Sequence, residues 1–372
     1  MLRWRALGVA RTCFRTPRAR VAAAASGATR AAPAPPALRA GEVHLWQVAT
    51  PEDGLSPEQA ELLRALLSPA EAAADDADAA RAGGVSARVR AERLLSRSLA
   101  RDVLSRYTRL PPTELILPRG EHGKPSLYVP LSNDGVVSSP PLHFSLSHAS
   151  GLLVCAVART EVGCDVERTH RLVSAAGAAT ALRLARRYFS PEEVDALSRL
   201  AARDAAAAAA AFTRLWTLKE AYVKALGRGI ARQPLASFTV AEEHEAPLPH
   251  AASLSSRAAC VDDGDAGGGG ESPGTRSISL RTHGPGHSIV GGGEPRGDQP
   301  PHDGPTRGWR LALVSLGGGS HVGALCVRSC RPHPPGLAVR CWATWPGRGA
   351  EEEEVVVAAQ GEDGFCGPHA TA

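Results

Sequence analysis

Regular apolar patterning in this chain is confined to residues 42–241 and 309–328, so any core has to be assembled from those two windows. Between them, from Glu242 to Gly308, Gly, Ser, Pro, His and Asp accumulate without an apolar period, the composition of an inserted disordered loop. The first 40 residues carry Arg3, Arg5, Arg11, Arg15, Arg18, Arg20, Arg30 and Arg39, with no acid before Glu42. Arg-rich, Ala-rich and acid-free, this leader reads either as a mitochondrial or plastid transit peptide or as a disordered extension of a cytoplasmic protein. Residues 329–372 lack a pattern, and the run Glu351 to Glu354 reads as a solvated tail.

The eight arginines of the leader exceed the chain's net charge of +4 and leave the remainder at −4, and global charge argues for no nucleic-acid partner. No apolar run approaches the roughly 20 residues that span a bilayer, which points to a soluble protein with no membrane partner. The eight cysteines form no C-x-x-C pair and no metal-ligand spacing. Cys155 and Cys164 sit among apolar neighbours and read as core thiols of a reducing compartment.

Within the patterned windows, Val43 to Val48 alternates as a strand with one buried face, and Ser56-Pro57-Glu58 opens a helix. A longer amphipathic helix runs from Arg88 to Tyr107, with Leu94, Leu95, Leu99, Val103 and Leu104 inward and Arg88, Arg97, Arg101 and Arg106 on the other face. After a polar loop and the run Phe144 to His148, residues 152–157 and 162–166 read as strands, 181–188 and 191–200 as helices, and 212–226 as a strong helix. Residues 309–314 and 321–327 read as two pairing strands.

Chemistry is concentrated at three places. In Val162-Gly163-Cys164-Asp165-Val166-Glu167, strand alternation sends Asp165 and Glu167 to one face and Cys164 and Val166 into the core. Two adjacent carboxylates repel unless a cation or proton lies between them, and an all-oxygen set suits Mg2+. In Trp216 to Lys224, Trp216, Glu220 and Lys224 follow at i, i+4 and share a helix face, from which Glu220 can supply a third carboxylate. Taken alone, each of these would read as a solvated edge strand and an ordinary helical ion pair. In Phe144 to Gly151, Ser147 and His148 offer hydroxyl and imidazole donors to a phosphate, and no Asp completes a hydrolase triad with them. The turn at Gly123-Lys124-Pro125 presents one further cation and lacks the glycine spacing of a P-loop.

The order of these segments resembles one family, the 4'-phosphopantetheinyl transferases of the larger, monomeric class. Val162–Glu167 and Trp216–Lys224 are similar to its two signatures, a G-x-D-x-E strand followed by a W-x-x-K-E-x-x-x-K helix. Gly123-Lys124-Pro125, Ser145 to His148, Arg186 to Ser190 and Leu235 to Phe238 resemble further stretches of the class. The resemblance implies an α+β fold of two similar α/β halves related by a pseudo-twofold axis, here residues 41–158 and 159–328, with coenzyme A in the cleft between them. It implies transfer of the 4'-phosphopantetheine arm of coenzyme A to a serine of an apo acyl- or peptidyl-carrier protein, in fatty-acid, polyketide, peptide or lysine metabolism. By the same resemblance Asp165, Glu167 and Glu220 would hold Mg2+, and Glu220 would also help deprotonate the serine. Lys224 would contact the phosphate under attack, and Arg88, Lys124, Ser147 and His148 would bind the coenzyme.

The chain departs from that pattern in three respects. Cys164 stands where the strand signature usually has Val or Ile, and about ten extra residues separate the signatures, which the alanine run 205–211 can absorb. After Ser68-Pro69 the chain reads Ala70-Glu71-Ala72-Ala73-Ala74-Asp75-Asp76, where relatives carry basic residues for the coenzyme's 3'-phosphate, so that contact must come from elsewhere. Two other readings stay open on the residues alone: another Mg2+-dependent nucleotide or phosphoryl transferase, and a coenzyme A-binding module without turnover.

Overall fold

The computed structural model describes residues 37–80, 86–108, 110–128, 141–172, 175–244, 276–282, 308–329, 337–353 and 356–363. The expectations for residues 1–36, and for the insertion and tail outside these ranges, fall beyond the described residues. Leu38, inside the expected leader, is buried in the first hydrophobic core.

The fold is mixed α+β, built on two sheets. β1 (Glu42–Ala49) pairs antiparallel with β3 (Leu152–Ala158), which pairs antiparallel with β2 (His143–Ala149). Against the outer face of this sheet lie α1 (Pro57–Arg64), α2 (Pro69–Ala80) and α3 (Ala87–Thr108), closing a core of Trp46, Leu63, Leu95, Leu99, Leu104 and Leu153. α1 starts on a complete capping box at Ser56 and Gln59, with Pro57 at its first turn, so the Ser-Pro signal carries the expected meaning.

The second sheet contains β4 (Val162–Arg168), β8 (His321–Arg328) and β7 (Trp309–Leu316), antiparallel in that order. Its outer face carries α4 (Ala175–Tyr188), α5 (Pro191–Ala201) and α6 (Ala205–Leu226), over a core of Phe189, Phe212, Leu218, Tyr222, Phe238 and Leu311. α7 (Gly229–Arg232) and β5 (Phe238–His244) follow. The inner faces of the two sheets meet in a third core, where Val43, Leu45, Val154 and Ala156 share a cluster with Cys164, Val166, Val314 and Leu325. β1 is therefore covered on both faces, and not on one as its alternation implied. His44 and Gln47 are buried polar exceptions, with His44 Nδ1 bonded to Tyr107 Oη at 2.8 Å.

Three expectations are corrected. The span Glu242 to Gly308 contains β6 (Arg276–Thr282), which pairs antiparallel with β5. The tail expectation fails for 338–353 and 356–363: β9 (Ala338–Thr344) runs parallel to β1, β10 (Ala350–Glu353) pairs with β9, and β11 (Val356–Asp363) lies between β7 and β6. These strands are short and mixed, and what orders β9 is remote in sequence: β1 backbone and the stack of Trp342 on Trp46 at 4.8 Å. Glu351 to Glu353 of the acidic run form an edge strand, where charge suits a row of unpaired backbone groups. Finally, Arg101 is buried and not on a solvent face; it pairs with Glu71 of α2 and donates to the carbonyls of Pro112 (2.6 Å) and Leu115 (3.0 Å). No helix among the described residues is long and apolar enough to cross a membrane.

Candidate functional site

β4 and α6 supply the two halves of the site and lie unusually close. A Cβ at Gly163 would fall 2.0 Å from the Ala221 carbonyl oxygen and 2.3 Å from the Ala225 nitrogen, so only glycine permits this approach. α6 is held at its start by Asp204, which accepts the Ala207 N–H at 2.9 Å, and at its end by Gly227 in the left-handed region at φ 68°. The alanine run is part of this helix, which lengthens it away from β4 without altering the site.

From this contact Asp165, Glu167, Trp216, Glu220 and Lys224 project into one cavity of about 290 Å³, joined by Ser147 and His148 from β2. The two sheets are stitched at this point. Ser145 Oγ accepts the Cys164 N–H at 3.1 Å, and the Cys164 thiol donates to the Ser145 carbonyl at 3.2 Å. One residue further, Ser147 Oγ donates to Asp165 Oδ1 at 2.8 Å, and Lys224 Nζ donates to both Asp165 Oδ1 (2.7 Å) and Ser147 Oγ (2.9 Å). Trp216 is fixed as a wall, edge-on to Tyr188 at 5.7 Å and beside Phe212 at 5.9 Å.

The electrostatics follow from burial in a crowd of acids. Burial raises the Glu220 pKa, and the neighbouring charges of Asp165 and Glu167 add to it against the pull of Lys224. Burial likewise raises Glu167, with Arg171 opposing and Asp165 adding. For Lys224 burial works downward, but the charge and hydrogen bond of Asp165, with the charge of Glu220, outweigh it and the ammonium is held more firmly than usual. Burial pushes the Cys164 thiol up, which keeps it protonated and inert.

As a donor set, three carboxylates facing one cavity, with burial and neighbouring acids raising the pKa of Glu167 and Glu220, fit a hard divalent cation, which would relieve their repulsion. They are not gathered on a single point in this arrangement: among the described residues no group of three His, Cys, Asp or Glu side chains is poised to hold a metal ion. Asp165 is engaged by Lys224 and Ser147, and Glu167 by Arg171.

Of the remaining expected residues, Arg88 and His148 line a second cavity alongside the first. Lys124 reaches neither cavity. Its Nζ donates to the carbonyls of Val162 (2.8 Å) and Ala225 (3.2 Å), and burial lowers its pKa. Sequence reasoning missed Arg168 and Arg171, which follow the strand signature and line the second cavity. It also assigned no role to Lys219. Lys219 lies four residues after Leu215 and one after Leu218, on the buried side of α6, and that spacing is a readable signal for an interior lysine.

A model of the 4'-phosphopantetheinyl transferase superfamily matches residues 161–258, the stretch that contains β4 and α6. The 4'-phosphopantetheinyl transferase HetI of Nostoc sp. is 34% identical over 208 residues, 54% of this chain and 76% of that protein. The 4'-phosphopantetheinyl transferase Sfp of Bacillus subtilis is 31% identical over 147 residues, and 4'-phosphopantetheinyl transferase psf-1 of Bacillus pumilus 34% over 158. The matched regions cover 40% and 42% of this chain and span 56% and 58% of those two proteins, a little over half of their length. With an acidic strand and a Lys-Glu helix brought to one cavity, with the family model matched across those same elements, and with a 34% identical relative covered over 76% of its length, the chain belongs to the 4'-phosphopantetheinyl transferase superfamily.

Proposed function

We propose that the protein transfers the 4'-phosphopantetheine group of coenzyme A to a serine of an apo acyl- or peptidyl-carrier protein, acting as a monomer. The observation that carries this reading is the single cavity into which β4 presents Asp165 and Glu167 and α6 presents Glu220 and Lys224. The coenzyme would lie in the cleft between two similar halves related by a pseudo-twofold axis.

In the reaction the serine hydroxyl oxygen attacks the phosphorus bearing the pantetheine arm. The bond from that phosphorus to the bridging oxygen breaks, and adenosine 3',5'-bisphosphate leaves. Glu220, whose affinity for a proton is raised by burial and by its acidic neighbours, accepts the serine proton. Lys224, kept charged by Asp165, neutralises the phosphate under attack. Asp165, Glu167 and Glu220 would hold Mg2+, which when bound supplies positive charge to the diphosphate. Trp216 walls the cavity from the helix side. Arg88, Ser147 and His148 would bind the coenzyme. Lys124, its amine taken by two carbonyls, would serve by fixing its turn against β4 and α6.

The test is direct: incubate the protein with coenzyme A, Mg2+ and several apo-carrier domains, and weigh the carriers. A phosphopantetheine mass increment on the carrier serine supports the reading. Absence of the increment on every carrier, with the protein folded, defeats it. Nucleotide turnover without a carrier would mark another phosphoryl transferase, and coenzyme binding without product a binding module.

A further inference from the structure

The second cavity, of about 420 Å³, shares His148 and Glu167 with the first. Its charged lining is completed by Arg88 and Glu92 of α3 and by Arg168 and Arg171 at and just beyond the end of β4. Arg88 is paired one turn along its helix with Glu92, Nε to Oε1 at 3.1 Å, and Arg171 is paired with Glu167. Arg168 faces no carboxylate among the described residues; its Nε donates to the Ser150 carbonyl at 3.3 Å. Three guanidiniums against two carboxylates make this wall suited to a phosphorylated ligand.

Glu167 is common to the two cavities, and its Oε1 is engaged by Arg171. The carboxylate required by a cation in the first cavity is thus held by the guanidinium best placed to meet an anion in the second. The Arg171 side chain is 54% exposed against 17% for Glu167, so the arginine is the partner free to move.

We propose that Arg171 is an exchange residue: it holds Glu167 while the cavities are empty and moves to a phosphate at the nucleotide end of the co-substrate, releasing Glu167 to the cation. This rests on the transferase reading above. The consequence is coupling. An anion in the second cavity removes the competitor for Glu167, and a cation on Glu167 releases Arg171 to the anion.

The experiment needs neither carrier nor turnover. Mn2+ binding is followed by electron paramagnetic resonance and adenosine 3',5'-bisphosphate binding by calorimetry, each with and without the other, on the full chain. The wild type should bind Mn2+ more tightly when saturated with the bisphosphate. In Arg171→Met, bisphosphate affinity should fall about tenfold or more, the value of a charge-assisted contact. Mn2+ affinity without nucleotide should rise by about threefold or more and should stop responding to the bisphosphate. Arg171→Lys should recover part of the bisphosphate affinity. Unchanged bisphosphate affinity in Arg171→Met overturns the proposal, and so does Mn2+ affinity that stays level or falls. A wild type that binds neither probe would bring down the transferase reading with it. A wild type that modifies carriers, beside an Arg171→Met variant with unaltered binding, would defeat the exchange alone.

Discussion

The ammonium of Lys219 lies 2.9 Å from Oε2 of Glu193, and the two side chains are 0% and 2% exposed. Lys219 also donates to the carbonyls of Leu235 (2.8 Å) and Phe238 (2.5 Å) and faces the Phe238 ring at 4.1 Å. Glu193 in turn accepts the N–H groups of Ser190 (2.9 Å) and Val240 (2.7 Å). One buried pair thereby ties the start of α5, the middle of α6 and the start of β5, and fixes the helix turn from which Glu220 projects. Burial pulls the ammonium down to about 8.

Lys219→Met should cost about 3–5 kcal/mol, because it strands the Glu193 charge inside the protein. Urea unfolding checks this. Lys219→Met combined with Glu193→Gln should be less unstable than Lys219→Met alone, and a double variant equal to the sum of the singles would show that the two groups are not coupled.

Gly163→Ala should separate β4 from α6, since the new methyl would lie 2.0 Å from the Ala221 carbonyl oxygen. A loss of about 3 kcal/mol or more is expected, at the upper end of overpacking effects. Transfer activity should fall even at temperatures where the variant stays folded, because the separation parts Asp165 from Lys224. Retention of wild-type melting and activity would contradict the close approach.

Asp165→Ala and Glu220→Ala should each abolish carrier modification while far-UV circular dichroism stays unchanged. Each residue lines the cavity, and neither belongs to a hydrophobic core. Full activity in either variant would remove that residue from the site.

Glu220 gives a pH signature. Its folded pKa stands above the ordinary 4.5, so across that window the folded chain binds more protons than the unfolded one and stability falls as pH rises. Above the window the ionised carboxylate is a standing cost. In chelator at pH 7.5, Glu220→Gln should therefore melt higher than the wild type, with the advantage vanishing as pH falls below 4.5. Added Mg2+ should raise the melting temperature of the wild type more than that of the variant. Equal melting curves at pH 7.5 would refute the crowding of charge at this carboxylate.

Trp342→Ala should destabilise the chain by about 3–5 kcal/mol, as expected for a large buried aromatic. Removal of residues 330–372 should be worse, since it strips β9 from β1 and β11 from β7. A truncated chain that unfolds at the wild-type urea midpoint would show that these strands contribute nothing.

What the sequence made legible was local. Asp165 and Glu167 on one strand face, and Trp216, Glu220 and Lys224 on one helix face, follow from periods of 2 and 3.6 residues. All five line the same cavity. What stayed hidden depends on partners far along the chain. Arg101 looked solvent-facing because the Pro112 and Leu115 carbonyls that receive it lie outside its helix. β9 looked patternless because its order comes from β1. Lys124 looked like a free cation until two main-chain carbonyls, 38 and 101 residues away, claimed its amine.

The pairing of β1 with β9 bears on how the chain is made. The parallel neighbour of β1 is translated on the order of 300 residues after it. At about 5–20 residues per second, one flank of the first sheet stays open for tens of seconds. During synthesis that strand presents unpaired backbone to any other extended segment nearby. Slowing translation between β1 and β9 should therefore lower soluble yield, the cost of closing a sheet with a strand so distant in sequence.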